Sequence, residues 1–458
     1  MNPDLSITFC GIKSPNPFWL ASAPPTNSGY QVRRAFQAGW GGAVWKTLSN
    51  EPIVNVSSRY GAIDRDGRKV IGLNNIELIT DRTLDENLAE IRQIKSEFPD
   101  RALFVSLMVE STRSAWHEIV KKTQDAGADG LELNFGCPHG MSERGMGSAV
   151  GQVPEYTEMI TAWVKEVASV PVMVKLTPNI TDIRSVGRAA KNGGADALSL
   201  INTINSIMGV DLDTFLPKPN VAGLGSHGGY CGPAVKPIAL YMTWALASDD
   251  QIHLPISSIG GIETWQDAAE FLLLGAGSVQ VCTAVMHYGF RIVDGLISGL
   301  KNWMRDKGFR AITDFAGKTV PRIKEWGDLD LGYKIVAEID QTKCVHCGLC
   351  HVACEDGCHQ SIRWDKVPEA EFVRRTGSTP RKSGDCYVLP GAGAGYVNLF
   401  TIDQDHCVGC NMCSLICPAE GCITMKQVDS GLPSMNWKQY QEKLAAGTVK
   451  PLGPPRHV

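Results

Sequence analysis

Eight of the fifteen cysteines fall into two copies of one spacing, Cys-x2-Cys-x2-Cys-x3-Cys. The first copy begins at Cys344 and the second at Cys407. Thiolates at this spacing bind [4Fe–4S] clusters, and the fourth cysteine of each copy ligates the cluster of the other copy. The spacing therefore predicts two clusters. One would be held by Cys344, Cys347, Cys350 and Cys417, and the other by Cys407, Cys410, Cys413 and Cys354.

Zinc sites are an alternative for these cysteines. A structural zinc ion takes two Cys-x2-Cys pairs, and the third and fourth cysteines of each copy would then have no function. Cys358, Cys386 and Cys422 stand outside the spacing, and we expect them to be packed or incidental thiols. Eleven cysteines follow residue 343, a crowding that metal ligation explains better than disulfides do.

Iron–sulphur clusters carry single electrons. If they serve an enzyme barrel, they need a partner group that accepts single electrons and delivers a hydride. A flavin does both, and FMN is the simplest choice. Lys46 and Lys175 each lie at or near the end of a short apolar run, and their charges could stabilise the N1–C2 region of a reduced flavin. Solvated or ion-paired lysines are the alternative. Backbone N–H groups for a phosphate could come from Gly260, Gly261, Cys282 and Thr283.

Cys137 lies in a glycine-rich loop with His139. A free thiol has a pKa of about 8.5, so Cys137 would be protonated at neutral pH and could donate a proton to a carbon atom beside a flavin. Glycines at 140, 145, 147 and 151 would let the loop open and close. A packed apolar thiol and a hydrogen-bonded loop histidine are the alternative.

Amide side chains accompany these groups, at Asn75, Asn134 and Asn202, the last followed by Thr203. Amides both donate and accept hydrogen bonds, so this lining suits a neutral heterocycle with alternating carbonyl and N–H groups. We expect the lining to contain no carboxylate, the group that would bind a cationic substrate. A turn role for each asparagine is the alternative.

A literal Gly-x-Gly-x-x-Gly occurs at Gly223, Gly225 and Gly228, but it lies inside a long connection. A dinucleotide fingerprint joins a strand directly to a helix, so that the pyrophosphate meets the helix N-terminus. We therefore expect that this chain does not bind NAD itself.

Eight short apolar runs in the first two thirds of the chain must position these residues. The runs are Phe18–Ala21, Ala43–Lys46, Leu103–Leu107, Gly130–Asn134, Val172–Leu176, Ala197–Ile201, Ile256–Ile259 and Ser278–Cys282. Helical periodicity separates most of them, which is typical of parallel βα units. Gly-Ala pairs at Gly127, Gly194 and Gly275 are expected to end helices before the next strand.

The fold class predicted is α/β, a (β/α)8 TIM barrel followed by a ferredoxin-like domain with two [4Fe–4S] clusters. A doubly wound sheet is the alternative, but polar residues at many strand ends are typical of the catalytic face of a barrel. The connections 48–100 and 204–237 are long enough to cover a pocket. We expect a barrel at 1–316, a linker at 317–334, a ferredoxin-like domain at 335–428 with an insert at 374–395, and a tail at 429–458.

The composition excludes some partners. A formal net charge of −4 offers no basic surface for nucleic acid. The N-terminus has no signal-peptide pattern, and no run approaches the roughly 18 apolar residues of a membrane-spanning helix. We therefore expect a cytoplasmic protein without a membrane partner.

These motifs resemble the dihydropyrimidine dehydrogenase family. They are similar to the FMN and iron–sulphur subunit of bacterial NAD-dependent members and to the carboxyl-terminal half of the longer animal enzyme. The resemblance runs from about Leu5 to Met425. Besides both cysteine motifs, it rests on Leu20–Pro24, Asn75–Leu78, Asn134–Met141, Lys175–Asn179, Asn202–Thr203 and Gly228–Gly232.

The resemblance implies that Cys137 is the general acid and that Asn75, Asn134, Asn202 and Thr203 hold a pyrimidine. It also implies FMN contacts from Ser22, Lys46, Thr47, Lys175, Gly232, Gly260, Gly261, Cys282 and Thr283. The implied reaction reduces uracil or thymine to the 5,6-dihydro product, with a hydride from flavin N5 to C6 and a proton from the cysteine to C5.

Electrons would come from NADH through an FAD-bearing partner subunit and then across the clusters, in a hetero-oligomer built on a homodimer. Two departures from the family are Gly136, where the animal enzyme has a serine, and the insert. Two other functions stay open. One is a dihydroorotate dehydrogenase-like flavoenzyme, which must bind a carboxylate, and the other is a non-catalytic electron-transfer module.

Overall fold

The computed structural model describes residues 3–65, 69–381 and 393–451. The chain divides into two compact units, Met1–Ile323 and Lys324–Val458. The division falls inside the segment 317–334, where the sequence predicts a linker. Among the described residues, no helix is both long enough and apolar enough to cross a membrane.

Sixteen strands and ten α-helices build the described part of the first unit. The strands are β1 (Ile7–Phe9), β2 (Ile12–Ser14), β3 (Phe18–Leu20), β4 (Gly42–Leu48), β5 (Tyr60–Arg65), β6 (Lys69–Asn75), β7 (Ala102–Leu107), β8 (Gly130–Asn134), β9 (Val172–Lys175), β10 (Ala197–Leu200), β11 (Ile204–Ser206), β12 (Gly209–Val210), β13 (Pro217–Lys218), β14 (Gly228–Cys231), β15 (Ile256–Ile259) and β16 (Ser278–Val281). The helices are α1 (Gly29–Ala38), α2 (Leu84–Glu97), α3 (Arg113–Asp125), α4 (Ser148–Gly151), α5 (Pro154–Lys165), α6 (Ile183–Asn192), α7 (Lys236–Ala247), α8 (Trp265–Leu273), α9 (Thr283–Tyr288) and α10 (Ile292–Lys307).

Eight parallel strands close into a barrel in the order β3-β4-β7-β8-β9-β10-β15-β16. They coincide with the eight apolar runs, so the (β/α)8 prediction is confirmed and the doubly wound alternative is wrong. Every residue of these strands is buried. Helices cover the outside of a parallel barrel, which explains why its strands are buried along their whole length instead of at alternating residues.

The three Gly-Ala pairs end helices as predicted. Gly127 follows α3, Gly194 follows α6 and Gly275 follows α8, with φ angles of +91°, +93° and +99°. A residue with a side chain is strained in this left-handed conformation, so glycine lets each helix end and the chain turn directly into the next strand.

Aromatic packing closes the amino-terminal end of the barrel. The hairpin of β1 and β2 places Phe9 against Trp19, with ring centroids 5.3 Å apart, and Trp19 lies 5.4 Å from Phe104. Gly130 makes room for this cluster, because a Cβ atom there would stand 2.3 Å from the Phe104 ring. The opposite, carboxyl-terminal end is therefore the one available to ligands.

The two long connections form a four-stranded antiparallel sheet in the order β11-β14-β6-β5. Asn75 at the end of β6 pairs with Tyr60 of β5 on one side and Gly229 of β14 on the other. Asn75 and Tyr230 line the cavity described below, which agrees with the expected cover over a pocket. The Gly-x-Gly-x-x-Gly segment leads into β14 and begins no helix, as expected.

The described part of the second unit contains two antiparallel strand pairs and four α-helices. Its elements are β17 (Lys334–Ile339), α11 (Leu349–Gly357), β18 (Ile362–Pro368), α12 (Glu369–Thr376), β19 (Tyr396–Ile402), α13 (Met412–Leu415), β20 (Ile423–Val428) and α14 (Trp437–Ala445). Strand β17 pairs with β20, and β18 pairs with β19. Helices α11 and α13 each lie within one cysteine motif, as the ferredoxin-like prediction requires.

Two predicted boundaries of this unit need adjustment. The insert was predicted to begin at Arg374, but α12 continues to Thr376, and residues 382–392, including Cys386, lie outside the described residues. The predicted tail 429–458 contains α14, which begins with a reciprocal cap between Asn436 and Gln439. Its aromatic residue Trp437 packs against Trp326 with a centroid separation of 5.8 Å.

Candidate active site and cluster cavities

A cavity of about 1140 Å³, counting its open mouth, lies at the carboxyl-terminal end of the barrel strands. Every barrel residue predicted above to bind substrate or FMN, or to act as the acid, lines it. These are Ser22, Lys46, Thr47, Asn75, Asn134, Cys137, Lys175, Asn202, Thr203, Gly232, Gly260, Gly261, Cys282 and Thr283. The barrel thus brings residues from a 262-residue span of the sequence to one place.

A chain of hydrogen bonds fixes the polar side chains along one wall. The Asn202 amide donates to Asn134 Oδ1 at 2.9 Å, and the Asn134 amide donates to Thr47 Oγ1 at 3.0 Å. Ser22 Oγ lies 3.1 Å from Thr47 Oγ1. Both ends of each amide are held, because Asn134 Oδ1 also accepts from the Gly136 N–H and Asn202 Oδ1 accepts from the Thr203 N–H, so the second hydrogen of each NH2 group keeps a fixed direction. Such preorganised groups can read the hydrogen-bonding pattern of a planar heterocycle.

Gly136 fits this wall closely. A Cβ atom there would stand 2.4 Å from the Asn202 Cβ and 2.6 Å from its amide nitrogen. The serine of the animal enzyme therefore has no space in this arrangement. Glycine at this position lets Asn202 approach Asn134 closely enough for the hydrogen bond between them.

The thiol of Cys137 is almost completely enclosed, with 9% of the residue exposed. Its sulphur donates to the carbonyl oxygen of His139 at 3.6 Å. Burial disfavours the thiolate and raises the pKa of Cys137 to about 11. The thiol therefore holds its proton at neutral pH. Burial also lowers the pKa of His139, whose Nε2 lies 3.2 Å from the carbonyl oxygen of Glu77.

Two of the loop glycines serve close packing. A Cβ atom at Gly151 would stand 1.9 Å from the carbonyl oxygen of Phe135, and one at Gly147 would stand 2.8 Å from that of Cys137. The Ser148 amide donates to the same Cys137 oxygen at 3.0 Å. These contacts hold the backbone of Cys137 against α4. Opening and closing of the loop stays a prediction.

Each cavity lysine is paired with a carboxylate that the sequence reading missed. Lys46 Nζ contacts Glu77, which also accepts a hydrogen bond from Tyr60. Lys175 Nζ lies 3.5 Å from Glu132, a fully buried side chain. The expectation of a lining without a carboxylate is thus wrong at Glu77 and at Glu263, both of which line the cavity. Buried lysines require a negative charge nearby, so the two lysines could have predicted a carboxylate beside each of them.

Glycine and thiol residues form the end of the cavity expected to hold the phosphate. Gly260 and Gly261 follow β15 with φ angles of +136° and +75°, and a Cβ atom at Gly261 would stand 3.0 Å from the Gly232 carbonyl oxygen. Cys282 and Thr283 form the junction of β16 and α9. Close contact without side chains leaves backbone groups at the cavity wall, which fits a phosphate group.

The eight motif cysteines line two smaller cavities of the second unit. A cavity of about 310 Å³ is lined by Cys344, Cys347, Cys350 and Cys417. Another, of about 350 Å³, is lined by Cys354, Cys407, Cys410 and Cys413. This division coincides with the predicted crossed ligation. In the described ranges, no group of three or more His, Cys, Asp or Glu side chains has the arrangement that holds a single metal ion.

Each of these cavities has a fifth cysteine. Cys422 lines the smaller one and is 2% exposed, and its sulphur lies 3.6 Å from the carbonyl oxygen of Asp340. Cys358 lines the larger one and is half-buried. Cys422 is the packed thiol expected from the sequence. Cys358 is not an incidental thiol, because it borders the sulphur atoms of a cluster cavity.

The family comparison covers both units. Residues 4–304 match the dihydroorotate dehydrogenase family, and residues 400–421 match the 4Fe-4S binding domain. The chain is 44% identical over 367 residues to the NAD-dependent dihydropyrimidine dehydrogenase subunit PreA of Escherichia coli K12, covering 80% of this chain and 89% of that protein.

Two further relatives come from a plant and an archaeon. The chloroplastic dihydropyrimidine dehydrogenase (NADP(+)) of Arabidopsis thaliana is 43% identical over 339 residues, or 71% of this chain and 79% of that protein. The catalytic subunit of dihydroorotate dehydrogenase B (NAD(+)) of Pyrococcus abyssi is 36% identical over 319 residues, or 68% of this chain and 98% of that protein.

Proposed function

Because this chain belongs to the dihydroorotate dehydrogenase family and is an oxidoreductase with a ferredoxin-type 4Fe-4S domain, we propose that it is the catalytic subunit of a dihydropyrimidine dehydrogenase. It reduces uracil or thymine to the 5,6-dihydro product. One observation carries the proposal: the buried, protonated thiol of Cys137 shares a cavity with the amides of Asn134 and Asn202.

FMN is the group proposed for the barrel cavity, where it supplies a hydride when bound. Gly232, Gly260 and Gly261 would hold its phosphate, since these residues leave backbone at the cavity wall. Lys46 and Lys175 would place positive charge beside its ring system. Their pairing with carboxylates keeps both ammonium groups at fixed positions.

The chain's own acid is Cys137. Reduction of the C5–C6 double bond requires a hydride at C6 and a proton at C5, and the thiol supplies the proton. The S–H bond breaks as the C5–H bond forms, and the thiolate recovers its proton from solvent afterwards. Burial of Cys137 keeps the proton on sulphur until negative charge develops on the substrate.

Two [4Fe–4S] clusters are proposed for the cysteine cavities, one on Cys344, Cys347, Cys350 and Cys417 and one on Cys407, Cys410, Cys413 and Cys354. The Escherichia coli relative is named an NAD-dependent subunit, and the one nucleotide-like glycine motif here leads into a strand. We therefore assign NADH and FAD to a partner subunit, and we propose that the two subunits form a hetero-oligomer in the cytoplasm.

A dihydroorotate dehydrogenase activity is the second candidate, because the Pyrococcus relative carries that name. Dihydroorotate has a carboxylate, which needs a cation in the cavity. Both cavity lysines described here already contact carboxylates, at Glu77 and Glu132. The matched 319 residues also make up 98% of that relative, so it corresponds to a barrel-sized part of this chain. The pairing of both lysines favours a pyrimidine without a carboxylate.

The test is anaerobic. The purified chain, loaded with flavin and clusters, is reduced with dithionite and mixed with uracil, thymine or orotate while flavin reoxidation and product formation are followed. Reoxidation with formation of dihydrouracil or dihydrothymine is expected. Reoxidation by orotate alone would establish the second candidate. No reoxidation by any pyrimidine would refute both and leave an electron-transfer module.

A further inference from the structure

The larger cluster cavity contains one thiol more than a cluster needs. Cys354, Cys407, Cys410 and Cys413 provide one sulphur for each iron atom of a [4Fe–4S] cluster. Cys358 lines the same cavity, and its thiol is hydrogen-bonded to that of Cys410. Five cysteine side chains therefore surround a cavity in which a [4Fe–4S] cluster would need only four ligands.

The fifth thiol stands beside the most exposed member of the set. Cys410 is exposed, whereas Cys354 and Cys413 are buried and Cys407 is half-buried. Cys358 immediately follows α11, whose residue Cys354 belongs to the same cavity, and the Cys358 amide donates to the Cys354 carbonyl oxygen at 3.3 Å. The backbone that positions one expected ligand thus also positions Cys358.

The fifth thiol of the other cavity lies deeper. Cys422 is almost fully buried, and its thiol contacts those of Cys344 and Cys417 as well as the carbonyl oxygen of Asp340. Neither of these two thiols is exposed, whereas the half-buried Cys358 contacts the exposed Cys410. The two extra cysteines therefore form a matched pair, in which only Cys358 faces an exposed cluster ligand.

We propose that Cys358 is an alternative ligand for the iron atom assigned to Cys410. In the exchange, the bond between iron and Cys410 sulphur breaks and a bond between the same iron and Cys358 sulphur forms. The proton leaving the Cys358 thiol ends on the Cys410 sulphur, so no electrons are gained or lost. The inference rests on the proposed function, because it requires a cluster in this cavity.

The test counts clusters in four forms of the full-length protein. Wild type, Cys410→Ala, Cys410→Ala/Cys358→Ala and Cys410→Ala/Cys422→Ala are purified without oxygen, and Mössbauer spectra give the [4Fe–4S] content. Flavin content reports on folding of the barrel. We expect the Cys410→Ala variant to keep both clusters. The Cys410→Ala/Cys358→Ala variant should lose one cluster or convert it to a [3Fe–4S] form. The Cys410→Ala/Cys422→Ala control should keep the cluster of the larger cavity, as Cys410→Ala does.

Equal loss in the single and the Cys358 double variant would refute the exchange. Retention of both clusters in the double variant would also refute it, because another ligand would then replace Cys410. If Cys410→Ala does not fold, the rate of ferricyanide bleaching is compared between wild type and Cys358→Ala. Faster loss in Cys358→Ala supports the proposal, and equal rates overturn it. A wild type with no cluster in this cavity would instead refute the proposed function.

Discussion

Replacement of Cys137 by alanine should slow proton transfer to the pyrimidine without removing the binding site. A positioned general acid contributes about 10²- to 10⁴-fold to rate, which corresponds to about 2.7–5.5 kcal/mol of barrier. Flavin reoxidation by uracil after dithionite reduction, followed by stopped-flow absorbance, should therefore slow by that factor. The amides that hold the ring remain, so the uracil concentration giving half-maximal rate should change little.

The pH dependence of the wild-type reoxidation rate is a second test of the role of Cys137. With a Cys137 pKa of about 11, only about 1% of the thiol is ionised at pH 9. A thiol with the free value of about 8.5 would be about three-quarters ionised at that pH. Because the protonated form is the acid, activity is lost as pH rises through the pKa. The contribution of Cys137 should therefore stay constant from pH 7 to 9.

Cys10→Ala is the matched control, because this half-buried thiol bonds to the Asp196 carbonyl oxygen at 3.5 Å and does not line the cavity. Its reoxidation rate should equal that of the wild type. A Cys137→Ala rate within threefold of wild type, with dihydrouracil still formed, would show that another group donates the proton. A rate that falls by half between pH 7 and 9 and depends on Cys137 would contradict the effect of burial.

Three further predictions concern packing, charge and iron. Gly151→Ala should lower the free energy of unfolding in urea by about 3 kcal/mol, because its Cβ would meet a backbone oxygen at 1.9 Å. Gly295→Ala, with open space around it inside α10, should instead raise it by up to about 1 kcal/mol. Lys46→Met should cost about 1–3 kcal/mol, because the buried Glu77 loses its ammonium partner but keeps the Arg59 guanidinium at 3.7 Å. Lys46→Met/Glu77→Gln should recover most of this, and an equal cost in both would count against the pairing. Cys350→Ala should halve the iron bound per chain, and unchanged iron would contradict the assignment of this cysteine to the smaller cavity.

Much of the barrel could be predicted because its signals are local. Each strand is a short buried run, and each Gly-Ala pair after a helix marks where the chain turns, as at Gly127 and Gly194. The cysteine grouping is predictable for a similar reason, because the spacing of each motif determines which thiols converge. These features need no knowledge of distant partners.

The features missed at the candidate site depend on pairing between distant segments. Strand β6 joins β14 through residues 154 positions apart, and neither strand has an alternating apolar pattern of its own. The same distance in sequence hides the partners of the lysines. Glu77 belongs to a connection and Glu132 to a different strand from Lys175, so only the closed barrel brings each carboxylate to its ammonium group.

The pairing of β18 with β19 determines where additional residues can be inserted into the chain. Its seven residue pairs, ending at Pro368 opposite Tyr396, join the two ends of the segment between them. Lengthening a loop whose ends are already held costs only about 0.6 kcal/mol for each doubling, because closure entropy rises with the logarithm of length. The position between these strands should therefore tolerate added sequence during evolution, and an affinity tag placed there should leave both iron sites able to assemble.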